Sequence, residues 1–216
     1  FKDIIEEAKN SNNITLLLGN HDLHYFPRFL EEYGCRRIDS KREELSKLYD
    51  LDLFKVAYET EILGKKYLFT HAGVLPKWFN FITGKRLSGG SPYFEFMKLD
   101  FEEIERLKSL ELTADSLNQL ATFDAGLDVL AMTSRERGGP WFFGSCMWAD
   151  IHEHLYNDAY EDIYQIFSHT LNYPLLDEAY FGTNYSMVDC RHGLELDCTT
   201  GKITEILPND TKKELF

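Results

Sequence analysis

The 216-residue chain contains no run of about 18 apolar residues, so no membrane-spanning helix and no membrane partner are expected. It is short of positive charge: 23 Lys and Arg stand against 36 Asp and Glu, a formal charge of -13. That balance argues against a nucleic-acid partner, which selects a basic face for its phosphates. A phosphorylated substrate stays open, because bound divalent cations reverse the local field whatever the overall charge. The four cysteines (Cys35, Cys146, Cys190 and Cys198) include no Cys-x-x-Cys pair. Reduced thiols in a cytoplasmic protein are the expectation, with a Cys190–Cys198 bridge across a hairpin as the alternative. No internal repeat or low-complexity tract is found. An initiating methionine is lacking too, since the chain starts at Phe1.

A core, by contrast, is well supplied. Hydrophobic residues make up 44% of the chain and aromatics 14%, enough to bury one domain across residues 1–216. Phe1, Ile4, Ile5 and Ala8 recur at helical spacing, and Asn10 to Asn13 punctuates the end of that helix. Short apolar, β-prone runs lie at 14–18, 66–70 and 163–167. Residues 185–190 and 194–198 read as a late hairpin, and a turn at Thr200-Gly201-Lys202 leads into a last strand at 203–207. Between Phe79 and Gly139 the pattern predicts a helical insert outside the sheet. Its helices are expected at 101–109, with Phe101, Ile104 and Leu107 on one face, and across 114–132. The polar tail, 209–216, is expected to be loosely held.

Three of the strands end alike. The first runs into Gly19-Asn20-His21-Asp22, the second into His71-Ala72-Gly73 and the third into Ser168-His169-Thr170. Sites in α/β sheets gather where the carboxyl ends of strands converge. Imidazoles suit transition metals, and an amide oxygen can complete such a shell. Each piece alone is ordinary, a loop histidine or a turn asparagine. Their conjunction at three separate strand ends is what points to a metal site.

These segments carry a specific likeness. Gly19-Asn20-His21-Asp22, His71-Ala72-Gly73 and His169-Thr170 resemble the later motifs of the calcineurin-like metallophosphoesterase superfamily. Arg137-Gly138-Gly139 through Gly144-Ser145 to Trp148-Ala149-Asp150 is similar to segments of its bacterial phosphoprotein phosphatase branch. Leu23-His24, with Val74, Pro76 and Trp78, resembles the symmetrical diadenosine tetraphosphatases. The likeness covers most of the chain outside the insert. It implies a four-layer α/β/β/α sandwich with two divalent ions (Mn, Fe or Zn) that activate water against a phosphoester. It also implies that Asn20, His71 and His169 bind one ion. His21 would protonate the leaving oxygen or stabilise phosphoryl charge, and Asp22 would orient His21.

Two departures matter. The superfamily's opening Asp-x-His and Gly-Asp-x-x-Asp motifs do not occur before Gly19, so the expectation is a chain truncated upstream that lacks the first strand. The superfamily's Gly-His-x-His stands here as Ser168-His169-Thr170-Leu171, which favours the phosphoprotein phosphatase branch. The expected substrate is therefore a phosphomonoester on a phosphoprotein or small molecule. A dinucleoside polyphosphate and a non-catalytic binding domain are the alternatives. Arg137, beside the Gly138-Gly139-Pro140 turn, is the candidate phosphate ligand, because a guanidinium forks onto such oxygens. Arg135, His152 and His154 read as surface residues, His192 as a turn residue, and Trp141, Phe142 and Phe143 as packing. Tyr185 is left without a role.

Overall fold

The computed structural model describes residues 1–26, 39–85, 91–155, 159–170, 180–189, 193–206 and 212–214. Cys35, Cys190, His192 and most of the tail lie outside them. Helix α1 (Lys2–Lys9) buries Ile5 and Ala8, while Phe1 and Ile4 remain exposed. Strand β1 is only Leu16–Leu17, shorter than the apolar run suggests, and pairs in parallel with β2 (Phe54–Lys55). Between them stands α2 (Arg42–Ser46). Strand β3 (Ala57–Ile62) turns back antiparallel onto β4 (Lys65–Thr70). Helices α3 (Pro76–Thr83), α4 (Tyr93–Phe96), α5 (Phe101–Lys108), α6 (Ala114–Leu120), α7 (Asp124–Leu130) and α8 (Ile151–Leu155) follow. Strands β5 (Ile163–Phe167), β6 (Tyr180–Phe181) and β7 (Tyr185–Met187) complete a five-stranded sheet in the order β3-β4-β5-β7-β6. A separate antiparallel sheet holds β8 (Gly193–Leu196), β9 (Ile203–Ile206) and β10 (Lys212–Glu214).

The period-two alternation of strands divides the central sheet into two apolar faces. Ile62, Tyr67, Phe69, Tyr164 and Ile166 pack against Ile203, Leu194 and Leu196 of the second sheet. Ala57, Leu68 and Ile163 join the main core with Trp78, Phe79 and Ile82 of α3 and Leu117, Leu120, Leu127 and Leu130 of α6 and α7. Helices, mixed sheet and second sheet thus stack as an α/β sandwich, the expected fold class. No helix among the described residues is long and apolar enough to cross a membrane.

Two sequence expectations are corrected. Strands β7 and β8 do not form a hairpin: β7 pairs in parallel with β5, and β8 pairs with β9 about the Thr200-Gly201 turn. The burial explains why. Tyr185, Ser186 and Met187 are all buried, as in an interior strand, whereas β8 alternates exposed and half-buried. Cys198 is correspondingly a free, exposed thiol. The 114–132 segment is helical as expected, in two helices broken where Phe123 adopts an extended backbone. Phe101 does not face the core but is 79% exposed.

The helical segment lies outside the sheet and is stitched to it. Asn118 of α6 accepts the amides of Val56 (2.7 Å) and Ala57 (3.0 Å) and donates to the Ala57 carbonyl (3.0 Å). Its side chain stands in for a neighbouring strand. Glu59 accepts from the Ala114 amide at 3.0 Å, where the helix N-terminus favours negative charge.

Candidate functional site

Because β4 and β5 run parallel, they end at the same edge of the sheet and release His71 and His169 side by side. The Ser168 amide donates to the His71 carbonyl at 2.8 Å, tying the two turns together. The His71-Ala72-Gly73 turn is braced from every side. Ala72 donates to the Cys146 carbonyl (2.7 Å), Gly73 to the Thr70 hydroxyl (3.0 Å) and Val74 to Gln165 Oε1 (2.6 Å). His154 donates from Nε2 to the Ala72 carbonyl at 2.9 Å and stacks on Phe167 with ring centroids 4.4 Å apart. The surface assignment of His154 is thereby overturned. Spacing of two excludes a shared helix face with His152, but says nothing of burial by a distant loop. Burial pushes the His154 ring down to about 4, so it is a neutral strut.

The loop after β1 closes on Asp22. One carboxylate oxygen accepts the Gly19 amide (2.7 Å) and the other the Tyr49 hydroxyl (2.6 Å). Gly19 has no side chain for a physical reason: a Cβ there would lie 3.1 Å from two atoms of the His71 ring. The backbone can therefore lie against the imidazole. Asn20, 3% exposed, brings Oδ1 to 2.9 Å from His71 Nε2, and His71 Nε2 stands 3.0 Å from His169 Nδ1. His169 holds φ at +79°, a conformation non-glycine residues adopt at a cost and one concentrated at functional sites. His21 is exposed at the loop tip.

The electrostatics of the triangle are unusual. Burial first, then the positive fields of His21 and Arg137, push His71 down to about 4. Burial, then His71, Arg137 and His21, push His169 down to about 2. Both rings are thus neutral near neutral pH, the form that ligates metals. Asn20 Oδ1 carries no proton and His71 Nε2 carries at most one, which must serve both its close neighbours or neither. A cation would resolve that crowding of lone pairs. Two donors bonded at about 2.1 Å and at right angles on one ion stand about 3.0 Å apart, which matches both separations. His169 Nε2 is buried and meets no hydrogen-bond partner among the described residues. The donor set fits one side of one ion's shell. Among the described residues no group of three or more His, Cys, Asp or Glu side chains is arranged to hold a metal.

Arg137 lies against this triangle but is already engaged. Its Nη2 donates to the His169 carbonyl (3.3 Å) and to the Thr170 hydroxyl. Its Nε is 2.8 Å from Asp150 Oδ2, an ion pair in distance though not aligned as a hydrogen bond. Arg135 instead sits 4.1 Å over the ring of Phe142, which is 70% exposed. Trp141 and Phe143 pack against the core, as the sequence suggests. Tyr185 belongs to β7 and stacks on Phe167.

Part of the chain is similar to a tetraphosphatase. Over 81 residues it is 35% identical to a protein of Paracidovorax citrulli (strain AAC00-1) named "Bis(5'-nucleosyl)-tetraphosphatase, symmetrical". The match covers 33% of this chain and 28% of the tetraphosphatase, so the chain spans well under two thirds of that relative. No protein-family model matches the chain. Beside these residues, sequence reasoning misses three supports of the site: Tyr49, Gln165 and His154. None lies in a motif with the residue it holds. Only Gln165, a polar residue inside an apolar strand, carried a local signal.

Proposed function

We propose that this chain carries one side of the metal centre of a metal-dependent phosphoesterase. The observation behind the proposal is that, at three strand ends, His71 Nε2 lies 2.9 Å from Asn20 Oδ1 and 3.0 Å from His169 Nδ1. When bound, divalent cations (Mn, Fe or Zn, two of them in the arrangement the sequence resemblance implies) hold the phosphoryl oxygens and acidify the attacking water. Asn20 Oδ1 and the neutral imidazoles of His71 and His169 would hold one of them. His21 would hand a proton to the leaving oxygen. Asp22 would orient His21 through the loop backbone, since both of its oxygens are occupied by Gly19 and Tyr49. Arg137, pinned by Asp150, would turn its remaining N–H groups to a phosphoryl oxygen.

The partial likeness to a tetraphosphatase supports the phosphoesterase class; within it, a dinucleoside polyphosphate, the class in that relative's name, is the substrate proposed ahead of the phosphomonoester expected from the sequence. The full-length gene product should be assayed with added Mn²⁺ on diadenosine tetraphosphate, a phosphotyrosine peptide and a phosphoserine peptide. Cleavage of diadenosine tetraphosphate that a chelator stops and Mn²⁺ restores is the expected result. Preference for either peptide would return the substrate to the phosphomonoester class. Inertness toward all three would overturn the enzymatic proposal in favour of a binding domain.

A further inference from the structure

We infer that Tyr49 is a positioning residue for the candidate metal centre: its hydrogen bond to Asp22 fixes the loop that presents Asn20 to His71. The inference rests on the metal-centre proposal above. Tyr49 lies just past α2 and 27 positions from Asp22, with no motif joining them. Its ring is buried and held from two sides, tilted against Phe54 (centroids 4.8 Å) and stacked on Tyr25 (5.9 Å). From that fixed base the hydroxyl donates to Asp22 Oδ1 at 2.6 Å, the length of a charge-assisted bond. Burial and the Asp22 carboxylate hold the Tyr49 hydroxyl far above its ordinary range, so it remains a donor.

The other oxygen of Asp22 grips the Gly19 amide at 2.7 Å, and the Asp22 amide returns to the Gly19 carbonyl at 3.0 Å. Asp22 therefore bridges an aromatic anchored in the core and the peptide that precedes Asn20. The loop has little play on its other side. The site of a Gly19 Cβ is already 3.1 Å from the His71 ring, so slippage of the turn would change the 2.9 Å approach of Asn20 to His71. Groups that orient ligands without touching the ion typically govern about 10–100-fold in metal affinity or activity.

Tyr49→Phe keeps the ring and removes only the hydroxyl. Titration of the full-length, metal-free protein with Mn²⁺ should show affinity about 10–100-fold weaker, with kcat reduced and KM little changed. The melting temperature without metal should fall by only a few degrees, about what one lost hydrogen bond costs, and a merely structural hydroxyl would show that shift with no change in Mn²⁺ affinity. A second variant, Asp22→Asn, and the double variant complete the test. Because both changes cut one strut, the double variant should bind Mn²⁺ no more weakly than Asp22→Asn alone. Wild-type affinity in Tyr49→Phe, or losses that simply add in the double variant, would overturn the inference. Failure of the underlying metal-centre proposal looks different: His71→Ala would then bind Mn²⁺ as well as the wild type does.

Discussion

Replacing His21 by Asn is expected to lower turnover of the full-length protein about 10²–10⁴-fold while leaving its metal content unchanged. The two effects separate because His21 is not a corner of the triangle. It is exposed at the loop tip, yet near enough for its charge to depress both His71 and His169. A side chain so placed can reach a leaving group without holding an ion. The loss should shrink on an aryl phosphate whose leaving oxygen needs no proton, which marks an acid rather than a binding residue. Loss of metal together with rate would make His21 a ligand, and an unchanged rate would remove it from the chemistry.

At the site itself, a substantial loss of stability is expected from Gly73→Ala. Gly73 holds φ at +78°, and its missing Cβ would sit 2.6 Å from His154 Cε1 and 2.8 Å from Phe167 Cδ1. Neither ring can yield easily, since His154 is bonded to the Ala72 carbonyl and stacked on Phe167. A left-handed backbone costs an L-residue about 1–2 kcal/mol, and overfilling a packed site about 1–3 kcal/mol more. Together these lower the melting temperature of a chain this size by roughly 4–20 °C, measured by circular dichroism on the metal-free protein. His71 lies two residues earlier in the same turn, so metal affinity should fall as well. A melting temperature within about 2 °C of wild type would show that the turn relaxes around the methyl.

Much of the strand-end constellation is legible locally. Strands β4 and β5 are short apolar runs that stop at a polar residue, and their parallel pairing puts His71 and His169 on one edge. The Gly19-to-Asp22 tetrad announces itself by residue type. What stays hidden is whatever depends on a partner far along the chain. His154 looks like one of two surface histidines until Ala72 and Phe167 bury it. Tyr49 is an ordinary aromatic until its hydroxyl meets Asp22. The late strands alternate well enough to be strands, but alternation does not name a neighbour, so β7 and β8 go to different sheets. Across 114–132 helical spacing persists through the break at Phe123, because both helices direct their apolar residues into one core.

A cation shared by an amide oxygen and two imidazoles is the centre of the account. Crystals of the full-length protein grown with Mn²⁺, measured at the manganese absorption edge, test it directly. An anomalous peak within bonding distance of Asn20 Oδ1, His71 Nε2 and His169 Nδ1 is the predicted result. Manganese bound elsewhere, with nothing at that triangle, would contradict it.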